Sequence, residues 1–85
     1  MAGKILDTAR SAASAGLLRI GMTYEEQGNI NSAVRTYLKI VASYPDSEEA
    51  KIAVEKVTLI ADDLENKGYF NWAMSLYDRL EEASA

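Results

Sequence analysis

Cysteine and histidine are both missing from this sequence of 85 residues. Without Cys it has neither disulfides nor thiolate chemistry, and without His it lacks the commonest general base, the His metal ligands and any Ser-His relay. The densest carboxylate group is Asp62, Asp63 and Glu65, and on a helix Asp63 points away from the face that the other two share. We therefore expect no enzyme activity, no metal site and no cofactor, and we interpret these carboxylates as a solvated surface.

Long apolar runs and an excess of positive charge are lacking as well. No run approaches the roughly 18 apolar residues of a membrane span, and the N-terminus does not have the charged-then-apolar layout of a signal peptide. Nine Lys and Arg against 13 Asp and Glu give a net charge of −4, so phosphate binding has no electrostatic support. The sequence thus indicates a soluble, cytoplasmic protein that neither spans a membrane nor binds nucleic acid.

Proline occurs once and glycine five times, and these few residues divide the chain into helices. Gly28, Gly68 and Pro45 predict helix ends, while the sequence Asp46-Ser47-Glu48-Glu49 offers a capping oxygen and negative charge for a new helix. Between these breaks apolar residues recur at helical spacing. The sequence therefore predicts one all-α domain over residues 1–85, with four antiparallel helices: about Lys4 to Gln27, from a cap at Asn29 or Asn31 to Pro45, from about Glu48 to Lys67, and about Asn71 to Glu82.

The stretch from Leu17 to Pro45 has the order of large and small residues that a tight helical hairpin requires. Gly21 lies within the first helix, where it costs roughly 1 kcal/mol relative to alanine, so we expect it to let the second helix approach closely near Ala33. The pattern resembles the tetratricopeptide repeat, which has a large residue, Leu-Gly, Tyr, Ala, an aromatic and Pro at the same offsets. The matching residues are Leu17, Ile20, Gly21, Tyr24, Ala33, Tyr37 and Pro45.

A degenerate copy of this pattern follows 40 residues later. The family's usual period is about 34 residues, so we expect a longer first helix in each unit. The resemblance implies a superhelix of antiparallel hairpins, with one repeat over about 8–47 and a second over about 48–85. The second copy consists of Val57, Ile60, Ala61, Leu64, Gly68, Ala73 and Tyr77.

The resemblance also implies a place for a partner. In stacked hairpins of this family, the first helices line a concave groove that accepts a peptide or a partner helix. Acidic residues on this face suggest a partner that is apolar with basic flanks. An inner helix also needs a wide apolar stripe, so a core role for Leu18 and Met22 stays open. The predicted groove residues are Leu18, Arg19, Met22, Glu26, Thr58, Leu59, Asp62 and Asn66.

Two other regions suggest self-association into a homo-oligomer. The first helix carries a stripe of small and apolar residues: Ile5, Ala9, Ala12, Ala13, Gly16, Leu17 and Ile20. The last helix has Trp72 and Leu76 where the first unit has Ser32 and Thr36. The open alternatives are an alanine-rich extension and a Trp72 that covers the domain's own core. The candidate residues are Leu6, Ala9, Trp72 and Leu76, whereas Asp78 and Glu81 look like a polar cap.

Two functions are therefore open. The first is a protein–protein interaction module, an adaptor or scaffold that binds a partner segment in its groove. The second is a structural module whose hairpins stack on copies of themselves. Because repeat proteins generally need about three units for stability, a fragment of a longer repeat array is a further alternative.

Overall fold

Four helices in two antiparallel hairpins make up the computed structural model, which describes residues 2–85, with side chains from residue 5 onward. The helices are α1 (Ala2–Glu26), α2 (Ile30–Ser43), α3 (Glu48–Asn66) and α4 (Phe70–Ser84), with no strand in the described chain. The first hairpin is α1 with α2, the second is α3 with α4, and α2 packs against all three other helices. This confirms the predicted all-α fold. Residue 1 of the predicted domain lies outside the described residues.

Gly28 and Gly68 follow the ends of α1 and α3, as predicted, and both lie in the left-handed region. Gly28 has a φ of 76° and Gly68 a φ of 88°, a conformation that other L residues rarely adopt. After each glycine, the next backbone N–H donates to a carbonyl of the preceding helix: Asn29 to Tyr24 and Tyr69 to Leu64, each at 2.9 Å. These bonds satisfy carbonyls that a helix end otherwise leaves without a partner.

Side-chain caps fix the starts of α2 and α3. Of the two candidates for α2, it is Asn29 whose Oδ1 accepts the N–H of Ser32 at 3.4 Å. For α3, the Ser47 Oγ accepts the N–H of Ala50 at 3.0 Å, and two glutamates occupy the first turn. Both arrangements supply acceptors to N–H groups that have no partner within the helix.

The core lies around α2 and α3. All of its large side chains come from helical positions three or four residues apart, as an amphipathic helix requires. Leu17, Leu18 and Tyr24 of α1 pack against it while remaining partly exposed. The buried apolar residues are Ala33, Val34, Tyr37, Ile40 and Val41 of α2, Ala50, Ala53, Val57, Ile60, Ala61 and Leu64 of α3, and Ala73 and Leu76 of α4.

The closest approach in the first hairpin is between Gly21 and α2. A Cβ at Gly21 would lie 2.6 Å from Cε1 and 2.9 Å from Cδ1 of Tyr37, so the ring rests directly on the helix backbone. The predicted close approach is present, but the nearest side chain is Tyr37, one helical turn beyond Ala33. Tyr37 is completely buried, and its hydroxyl donates to Glu25 Oε1 at 2.7 Å.

Ile20 is one of the large residues that match the predicted hairpin pattern, but it is not buried in the hairpin: its side chain is 49% exposed. Ala9, Ala12 and Ala13 are exposed too. The contact of Gly21 with Tyr37 fixes the rotation of α1, and with that rotation Ser14 and Leu18 face the protein while Ile20 faces outward. Of the predicted small-residue stripe, Leu17 packs against the core, whereas the exposed members are Ile5, Ala9, Ala12, Ala13 and Ile20.

Candidate functional site

The first helices of the two hairpins, α1 and α3, are in contact and form the face on which the groove was predicted. A buried polar contact connects them: the Ser14 hydroxyl lies 3.0 Å from Glu49 Oε1 and 3.1 Å from the Ser11 carbonyl oxygen. Ser14 is almost completely buried, and a buried hydroxyl without such partners costs free energy. The contact fixes the beginning of α3 against the middle of α1.

The predicted groove residues differ in how far they reach the solvent. Leu59 is 64% exposed, Met22 is exposed, and Leu18 is partly buried against the core. Leu59 and Met22 are therefore the apolar groove residues that a partner can reach most easily. Of the remaining predicted residues, Thr58 is partly buried, and the exposed ones are Arg19, Glu26, Asp62 and Asn66.

A cleft of about 430 Å³ lies near the hairpin turns and joins residues from both predicted surfaces. Leu59 of the predicted groove and Trp72 of the predicted self-association surface both line it. Sequence reasoning missed Ile30 and Lys67 as site residues, although the spacing of Asp63 and Lys67 indicates the ion pair that they form at 2.8 Å. The full lining is Glu25, Ile30, Leu59, Ile60, Asp63, Leu64, Lys67, Tyr69 and Trp72.

Trp72 packs edge-on against Tyr69, with ring centroids 6.2 Å apart and an angle of 71° between the rings. Trp72 keeps 38% of its surface exposed. Leu76 is only 1% exposed, so its assignment to a self-association surface was wrong. Ala73 and Leu76 are three residues apart on the face that α4 turns to the core, whereas Trp72 lies at the margin of that face.

Two tyrosine hydroxyls bind carboxylates on the first helices. Besides the bond of Tyr37 to Glu25, Tyr77 donates to Asp62 Oδ1 at 2.6 Å. This bond, which only the neutral phenol can donate, is the main cause that raises the pKa of Tyr77 to about 12. Burial is the main cause that raises the pKa of Tyr37, and its bond to Glu25 acts in the same direction. Asp62 of the predicted groove thus already has an internal partner.

Arg19 lies apart from the cleft at Leu59. It lines a different cleft, on the outward side of α1, together with Gly16, Ile20, Thr23, Tyr24 and Gln27. The structure therefore separates Arg19 from Leu59, although both were predicted to line one groove.

The described residues contain no group of three or more His, Cys, Asp or Glu placed to hold a metal ion. Within the same part of the chain, no helix combines the length and apolar character needed to cross a membrane.

One family model matches the chain: residues 15–47 match the tetratricopeptide repeat. The match begins in the middle of α1, includes all of α2 and ends at the residue before α3. Comparisons with curated proteins and with solved structures gave no match.

Proposed function

We propose that this chain binds a segment of a partner protein along α1 and α3. Its match to the tetratricopeptide repeat over residues 15–47 supports this role, because that family suggests protein–protein interaction. The role is that of an adaptor or scaffold, and it needs no catalytic group. The proposed contact residues are those of the predicted groove that are apolar and reachable from solvent: Leu18, Met22 and Leu59.

The exposure of Leu59 is the observation that carries this proposal. Its side chain is 64% exposed on α3, at the margin of a cleft whose lining includes the buried residues Ile60 and Leu64. Burying one such side chain fully contributes about 1.5 to 3 kcal/mol. A partner side chain that enters this cleft gains contact with Leu59 without any rearrangement of the core.

The acidic residues around the cleft indicate which charges the partner segment carries. Glu25 and Asp63 line the cleft together with one basic residue, Lys67. The further acidic residues along the same helices are Glu26, Glu55 and Glu65. Complementary charge at the rim of an interface favours encounter and fixes register. The proposed partner segment is therefore apolar in its centre and carries lysine or arginine on its flanks.

A designed peptide pair tests the proposal. Each peptide has the same leucine-rich helical face, flanked by lysines in one and by glutamates in the other, and calorimetry measures binding to the protein. We expect the lysine peptide to bind more tightly, and Leu59→Lys to weaken it about tenfold, which corresponds to about 1.4 kcal/mol. The matched control is Met74→Lys, which adds the same charge at an exposed apolar residue of α4 outside the proposed groove.

Two results would contradict the proposed site. One is equal affinity for the two peptides, because the acidic residues around the cleft would then have no effect on binding. The other is a loss of affinity in Met74→Lys that equals the loss in Leu59→Lys. Fluorescence of Trp72, the single tryptophan of the chain, gives an independent signal because this side chain lines the cleft.

A further inference from the structure

The junction between the two hairpins shows how a helix docks on the first of them. The helix α3 packs against α2 and contacts α1, and its Glu49 reaches Ser14. The side chains on this side of the first hairpin are almost completely buried: Ser14, Val34 and Val41 are each at most 4% exposed. The valley between α1 and α2 is therefore filled by a helix of the same chain.

The corresponding valley of the second hairpin is open in the described chain. Adding 40 to the numbers of Ser14, Val34 and Val41 gives Val54, Met74 and Glu81. All three line a cleft of about 590 Å³ between α3 and α4. Met74 is 57% exposed there, whereas its counterpart Val34 is buried. The valley between α3 and α4 thus corresponds to the valley between α1 and α2, but no helix of the described chain occupies it.

The outward face of α1 has the residues to fill such a site. On α3, the residues that dock include Ala53 and Ile60, which are 0% and 9% exposed. Their counterparts on α1, 40 residues earlier, are Ala13 and Ile20, and both are exposed. The helix α1 therefore carries the kind of surface that α3 buries, with no helix of the described chain covering it.

The contact between Ile30 of α2 and the helix α3 also has matching residues at the two open surfaces. Ile30 lines the same cleft as Ile60 and Leu64 of α3. The counterpart of Ile30 is Phe70, which is exposed at the start of α4. The counterparts of Ile60 and Leu64 are Ile20 and Tyr24, and these line an open cleft of about 420 Å³ on α1. Phe70 is thus exposed where its counterpart Ile30 is partly buried, and the cleft at Ile20 and Tyr24 is open where their counterparts on α3 are buried.

The charges at the two ends are opposite as well. Residues 4–19 contain three basic residues and one acidic residue, and residues 78–82 contain three acidic residues and one basic residue. Because only four residues connect α2 to α3, the end of α2 lies beside the beginning of α3. A copy docked in the same way has the acidic end of α4 beside the basic first half of α1, so the charges attract.

We propose that copies of this chain stack head to tail, with α1 of one copy seated in the valley between α3 and α4 of the next. The contact repeats the geometry of the α2–α3 junction and uses two different surfaces, so each copy offers both halves of a heterologous interface. Phe70 and Met74 supply its apolar part. Asp78 and Glu81, which the sequence suggested as a polar cap, lie at its rim.

Sedimentation equilibrium over a range of concentrations tests this stacking. We expect the average mass of the wild-type protein to rise with concentration from the 9.3 kDa of one chain. Ile20→Glu disables the α1 surface and Met74→Glu disables the α4 surface. Because both side chains are about half exposed, neither change should lower the helix content measured by circular dichroism.

The decisive sample is an equal mixture of the two variants. Each variant alone is expected to stay at the mass of one chain, whereas the mixture should form a complex of twice that mass, because one intact surface of each kind remains. Ile52→Glu is the matched control at an exposed isoleucine of α3 that lines neither cleft, and it should associate like the wild type. The proposal is overturned by a wild type that stays monomeric up to millimolar concentration, by a variant that still associates alone, by a control that fails to associate, or by a mixture that remains monomeric.

Discussion

The two hairpins carry a tyrosine at equivalent positions of their second helices, but the rings lie at different depths. Tyr37 is completely buried and Tyr77 only partly so. The first hairpin has Gly21 beneath its ring, at a distance that leaves no room for a Cβ. The second hairpin has Ala61, with its methyl group, at the equivalent place. We infer that this methyl group leaves less room for the second ring.

The two hydroxyls also bind carboxylates at different positions of the first helices. Tyr37 reaches Glu25, four residues beyond its glycine, whereas Tyr77 reaches Asp62, directly after its alanine. The two hairpins also differ in coverage, because α2 packs against three helices and α4 against two. The helix α2 is therefore the central element of the packing, while α4 at the end of the second hairpin keeps more of its surface open.

The largest difference between the two hairpins is expected when each tyrosine is replaced with alanine. Tyr37→Ala removes a completely buried ring and is expected to lower the free energy of unfolding by about 4 kcal/mol. Tyr77→Ala removes a ring that water already reaches, so less than half of that loss is expected. Urea denaturation followed by circular dichroism measures both. Equal losses for the two variants would show that the rings are equally important to packing.

A smaller effect is expected from adding the missing methyl group to the first hairpin. In Gly21→Ala the gain in helix propensity is offset by overpacking against Tyr37, and the net loss should be about 1 kcal/mol. Gly16→Ala is the matched control on the same helix. A Cβ at Gly16 meets only the end of the Arg19 side chain, at 3.6 Å, so this change should stabilise the protein. Thermal melting that moves in the same direction for both variants would reject the close contact at Gly21.

Alkaline pH should affect the second hairpin through Tyr77. Its pKa in the folded protein is about 12, raised from its usual value of 10, so its bond to Asp62 contributes stability fully below pH 10. That contribution falls as the pH rises from 10 to about 12. We expect the wild type to be more stable than Tyr77→Phe near neutral pH, and this advantage to decrease above pH 10. An advantage that grows with pH in urea denaturation would contradict the bond.

The smallest effect is expected at the turns. Lys67 and Asp63 form an exposed ion pair in the second hairpin, where the first has Gln27 and Thr23. Exposed pairs of this kind contribute little, so Lys67→Gln should leave the melting temperature unchanged within error. A clear drop in melting temperature would mean that this ion pair stabilises the second turn, whereas the first turn has no such pair.

Local signals made the helix ends predictable from the sequence. Gly28 and Gly68 require a left-handed backbone, Pro45 cannot continue a helix, and Ser47 provides a cap, so each end depends on a residue whose chemistry acts locally. The helices accordingly begin and end within a few residues of the predicted positions.

The rotation of α1 was not predictable in the same way. Its small and apolar residues extend around most of its circumference, so several faces fit a core equally well. The choice depends on a tertiary contact, that of Gly21 with the ring of Tyr37. The same reason explains the wrong assignment of Leu76, because Trp72 and Leu76 are both large and apolar and only the packing of α4 shows which one is buried.

The most direct test of the account is a methyl spectrum of protein labelled at Ile, Leu and Met, recorded while the lysine-flanked peptide is added and, separately, while the protein is diluted. We expect the peptide to shift the methyl signals of Leu18, Met22 and Leu59, and dilution to shift those of Ile20 and Met74. Peptide-induced shifts at Ile20 and Met74 with none at Leu59 would contradict it.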